Sequence, residues 1–167
     1  MIEGPARWYT VGQNLVSAVR MGLSSKPKRA GQVPGDIAWD SCDCGGMLAV
    51  SMTRLYLSEE FPEESEAVNG ACQPPYEVGQ FTVAVVRCAP NPDGSETAPR
   101  ADELDTAAGL LLQDATEMLD AVSALMCRLR HDDQVLDYLI TPAEPVGPEG
   151  GCVGVNLTVR VGLIRKS

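Results

Sequence analysis

From Ala101 to Arg130, apolar residues recur at helical spacing without a break. Leu104, Ala108, Leu111, Leu112, Ala115, Met118, Leu119, Val122, Leu125, Met126 and Leu129 form one stripe over about seven turns. No other segment of the chain constrains the fold as strongly, because a stripe of this length must be buried against an apolar surface of comparable length. The ends carry the matching charge. Asp102, Glu103 and Asp105 stand in the first turns, and Arg128 and Arg130 stand in the last, as the helix dipole favours. The spacing predicts a long helix packed on a sheet, with its leucines and methionines in the core.

The sheet is legible in the alternating segments. In Cys152–Ile164, Val153, Val155, Leu157, Val159, Val161 and Leu163 point one way, while Gly154, Asn156, Thr158, Arg160 and Gly162 point the other. That is the pattern of an antiparallel sheet covered on one side. Met47–Leu57 reads as a strand with Leu48, Val50, Met52 and Tyr56 on one face, and Phe81–Cys88 as another with Phe81, Val83 and Val85 in step. A brief edge segment is expected at 36–39 and a strand at 134–141. Gly12–Ser25 carries a shorter helical stripe at Leu15, Ala18, Val19 and Gly22, ended by Lys26-Pro27. Stretches 58–80, 89–100 and 142–151 are rich in proline, glycine and acid and read as long loops. Helices and strands do not alternate one for one. The chain is therefore expected to be a single α+β domain over 1–167, with a mostly antiparallel sheet of four to five strands and two helices packed on it.

Charge narrows the function. The 167 residues carry a formal charge of -10, although residues 1–35 hold Arg7, Arg20, Lys26, Lys28 and Arg29 against Glu3 alone. A chain this acidic repels phosphate over most of its length, which disfavours DNA binding in the ordinary sense. No apolar run reaches the ~20 residues of a membrane span, and the start, MIEGPARWYTVGQ, lacks the pattern of a secretory signal. Synthesis without export is the expectation. Six cysteines, Cys42, Cys44, Cys72, Cys88, Cys127 and Cys152, are too few for a disulfide scaffold. In a chain made in the cytosol they are expected as reduced thiols.

No phosphate-binding glycine loop, nucleophile elbow or paired-histidine metal helix occurs. His131 is the sole histidine and sits beside Asp132 and Asp133 where the long helix should end, a place that suits a solvent-facing cation better than a catalytic base. The carboxylate pairs Glu59/Glu60 and Glu63/Glu64 lack the apolar framing that would raise a pKa for acid–base work. A metal would have to use Cys42, Cys44, Cys72 and Cys88, but the Cys42-Asp-Cys44 spacing is shorter than zinc pairs use. The expectation is therefore no enzyme, no catalytic residue, no cofactor and no metal. A cysteine metal-binding adaptor stands as one alternative and a small hydrolase using His131 as another.

With its elements placed, the chain resembles the tail terminator proteins of long-tailed (siphovirus) bacteriophages, particularly those of actinobacteria. The likeness rests on the element order and on Asp36-Ile-Ala-Trp-Asp-Ser-Cys-Asp-Cys44, Val86-Arg-Cys-Ala-Pro90, Leu125-Met-Cys-Arg-Leu129 and Gly150-Gly-Cys-Val-Gly-Val155, and spans most of 10–164. Head-completion and stopper proteins of the same neck are the nearest competitors. The resemblance implies a virion protein, assembled in the host cytoplasm, that forms a homohexameric ring. That ring would cap the tail tube, end its polymerisation and meet the head-side connector while DNA passes through the lumen. Six copies at -10 would carry about sixty negative charges, six times ten, so DNA would slide rather than stick. In the mature particle, pairing of Cys42 or Cys44 with Cys72 or Cys88 is the disulfide the reading allows.

Overall fold

The computed structural model describes residues 2–4, 6–37, 45–65, 76–90 and 98–164. The chain is α+β: two helices lie on one face of a six-stranded, mostly antiparallel sheet. The elements are α1 (Arg7–Gly22), β1 (Arg29–Gln32), β2 (Met47–Ser58), β3 (Tyr76–Cys88), α2 (Ala101–His131), β4 (Asp137–Ile140), β5 (Glu144–Glu149) and β6 (Cys152–Ile164). The sheet runs β1-β2-β3-β6-β4, with β5 also paired to β6. Only β1 and β2 are parallel; the other pairings are antiparallel.

The alternation in β6 is realised as expected. Val155, Leu157, Val159, Val161 and Leu163 are buried under the helices, opposite Val85, Val83, Phe81 and Gly79 of β3. Val11, Leu15, Val16 and Val19 of α1 and Met118, Val122, Leu125, Met126 and Leu129 of α2 close the same core. α1 lies over β1, β2 and β3, and α2 over β6, β4 and β5. Two strands exceed the expectation. β1 lies between the first helix and the 36–39 segment, where no element was expected, and β5 lies in the 142–151 stretch read as a loop. Both are edge strands made stable by a neighbour rather than by their own alternation. Asp36 and Ile37 are not in a strand, while Ala38 and Trp39 lie outside the described residues.

Four local readings are corrected. β3 begins at Tyr76, inside the stretch read as a loop. α1 spans 7–22 and ends before Lys26-Pro27: Leu23 turns extended to bury itself, and the Lys26 ammonium donates to the Leu23 carbonyl at 2.8 Å. In β2, a register shift between Met52 and Arg54 inserts one residue and reverses the alternation beyond it. Tyr56 therefore faces away from the helices, beside Arg54 at 5.6 Å and opposite Val78, rather than sharing a face with Val50. The fourth correction concerns α2. No residue from 101 to 113 is buried, and Leu104, Leu112 and Leu119 are 50%, 65% and 36% exposed. The stripe is longer than the sheet it packs on, so its first turns overhang.

Candidate functional site

The overhang begins at a buried ion pair. Asp114 lies on the same inward stripe as Met118, Ala121 and Leu125, and its carboxylate is wholly buried. It accepts from Arg87 Nε and Nη2, both at 2.8 Å, in a two-pronged contact. Arg87 reaches it because position 87 continues the inward face of Phe81, Val83 and Val85, and its Nη2 also donates to the Ser25 carbonyl at 2.5 Å. β3, α2 and the turn after α1 are thus tied at one point. A second tie lies one turn on. The Ser24 backbone N–H and hydroxyl donate to Glu117 at 2.7 and 2.5 Å, which lowers the pKa of that carboxyl. The Arg87–Asp114 pair has a signal in the sequence that the expectations above do not use: one acid on an apolar helix stripe and one cation ending an apolar strand.

Beyond Asp114, the α2 overhang forms one wall of an apolar cleft of about 280 Å³. Leu104, Ala108 and Leu111 line it from the helix, and Pro90, Pro148 and Val153 from the ends of β3, β5 and β6. Gly109 has nothing near its α-carbon face, so this part of the helix is open on its outer side. The helix start is held by the Arg100 N–H, which donates to Glu103 at 2.9 Å, while the Arg100 guanidinium grips Asp102.

At the other end of the molecule, Trp8 lies on the β3 backbone at Gly79, 6.2 Å from the Phe81 ring, and its indole N–H donates to Glu77. Arg7 pairs with the same carboxylate at 2.7 Å. Away from the helices, a cleft of about 300 Å³ is lined by Asp36, Ile37, Ser51, Thr53, Thr82 and Asn156.

The residues weighed for chemistry are dispersed. His131 is exposed at the end of α2. Glu59, Glu60, Glu63 and Glu64 are exposed in the turn after β2, and Glu64 pairs with Arg54. Lys26 and Lys28 are exposed between α1 and β1, and Arg29 is exposed at the start of β1. Of the four cysteines weighed as metal ligands, Cys42, Cys44 and Cys72 lie outside the described residues. Cys88 is disulfide-bonded, and so is Cys152, which corrects the expectation of reduced thiols throughout. A bonded sulfur is no thiolate, so Cys88 in this state has no charge to offer a cation. Cys127 is free and exposed on α2. Among the described residues, no group of three or more metal-binding side chains comes together, and no helix is long and apolar enough to cross a membrane. No protein-family model matches the chain, and no curated protein matches it either.

Proposed function

We propose that this chain is a structural ring subunit of the tail terminator type, a homohexamer that caps a phage tail tube, ends its growth and meets the head-side connector while DNA passes through. The reading rests on the resemblance set out above. One observation in the fold supports it most: no residue in the first turns of the longest element, from 101 to 113, is fully buried, and Leu104 and Leu112 are 50% and 65% exposed. Apolar helix surface left open in this way is the mark of a contact with another chain. The net charge of -10 supports the second half of the role, since an acidic lumen does not hold DNA.

The test is assembly. Light scattering on the purified protein, alone and with tail tubes, should show a mass near six subunits on the tube end. Phage lacking the chain should make tails of uncontrolled length that fail to join heads. Tails of normal length joined to heads in its absence would refute the role.

A further inference from the structure

The two lateral flanks of the molecule differ in charge. The sheet order places β1 at one edge and β4 with β5 at the other, roughly 20 Å apart across the strands. α1 covers the first side and α2 the second. On the α1 side, Tyr9 and Arg20 stand eleven residues apart, nearly in line on the helix face turned away from α2, and Tyr9 is 62% exposed. Arg29 adds a second exposed cation on edge strand β1, and Met52 and Leu55 expose apolar surface on β2 beyond the end of β1. On the α2 side, Asp105, Leu112 and Leu119 stand at seven-residue intervals on the helix face turned away from α1. Exposed Glu144 adds a second acid on edge strand β5. Arg20, Arg29, Asp105 and Glu144 form no ion pair among the described residues.

We propose that these flanks are the two halves of one head-to-tail contact between copies of this chain, the α1/β1/β2 side of one subunit against the α2/β4/β5 side of the next. Charge selects this arrangement. A two-fold contact would set like flank on like flank, base on base or acid on acid, in a chain already at -10. A head-to-tail contact sets the flank that bears Arg20 and Arg29 against the flank that bears Asp105 and Glu144, and brings the exposed apolar side chains Tyr9, Met52 and Leu55 to the same interface as Leu112 and Leu119. Such a contact repeats until it closes, which a ring requires. The inference rests on the ring reading and specifies which surfaces build it.

The test uses the full chain and two charge-reversed variants, Arg20→Glu/Arg29→Glu and Asp105→Lys/Glu144→Lys. All sites are exposed, and unchanged far-UV circular dichroism and melting temperature check the fold. The neutral variants Arg20→Gln/Arg29→Gln and Asp105→Asn/Glu144→Gln replace any pair that misfolds. In native mass spectrometry and light scattering, the wild type should give a closed oligomer that loosens with added salt. Each reversed variant alone should lose that species. An equimolar mixture should regain it with the two variants alternating, because the reversed flank of each then meets the reversed flank of the other, and every contact again sets base against acid. Undiminished assembly of both variants would overturn the flank assignment and leave the ring reading standing. A wild type that stays monomeric, alone and on tail tubes, would overturn both.

Discussion

Replacing Asp114 by alanine tests whether the Arg87 contact holds α2 at the root of its overhang. The carboxylate is fully buried and accepts two hydrogen bonds of 2.8 Å from a guanidinium whose side chain is only 11% exposed. Its removal leaves a cation in a site built for a pair, a change that ordinarily costs about 3–5 kcal/mol. Arg87 keeps other contacts, the Ser25 carbonyl among them, which places the cost at the low end, about 3 kcal/mol. For a chain of 167 residues that corresponds to a drop of roughly 6–12 °C in melting temperature. Urea unfolding under fixed redox conditions measures it, with Asp114→Leu, Arg87→Met and the double variant Arg87→Met/Asp114→Leu forming a cycle beside it. The double variant, apolar on both sides, should recover most of the loss, to within about 1 kcal/mol of wild type. A cost below about 1 kcal/mol for Asp114→Ala, or single-variant losses that simply add in the double, would refute the reasoning.

Leu157→Ala and Leu119→Ala form a matched pair: the first side chain is buried and the second 36% exposed, so the losses should be about 3 kcal/mol and about 1 kcal/mol by chemical denaturation. Equal losses would contradict the packing of α2. A β-carbon at position 79 would stand 2.5 Å from the Trp8 ring, so Gly79→Ala should displace the indole, shift its fluorescence and cost about 1–3 kcal/mol. Glu117 has its pKa lowered, first by the Ser24 hydroxyl and then by the Ser24 N–H and Gln113. Its contribution to stability is present above the usual carboxylate range and fades as pH falls through the lowered value. Carbon-detected NMR should show Glu117 titrating below ordinary glutamates, and Ser24→Ala should bring it back towards them.

The sequence by itself determined the class of fold. A 31-residue amphipathic helix and a 13-residue alternating strand each specify their own burial, because periodicity is local and survives whatever surrounds it. It also held, in Asp114 and Arg87, two charges at apolar positions, although only the fold pairs them. Tertiary structure alone decided the rest. β1 and β5 exist because β2 and β6 offer them a ladder, and four to six residues carry too little pattern to announce themselves. The reversal in β2 hinges on one inserted residue at the bulge, which leaves no trace in composition. Where the α2 stripe ceases to be core is set by how far the sheet extends beneath it. Leu104 and Leu125 look alike in sequence, yet one is 50% exposed and the other buried, because burial belongs to the neighbour as much as to the residue. The two flanks follow the same logic: helical phase puts Arg20 and Asp105 on outer faces, but only the order of strands sets those faces on opposite sides of one molecule.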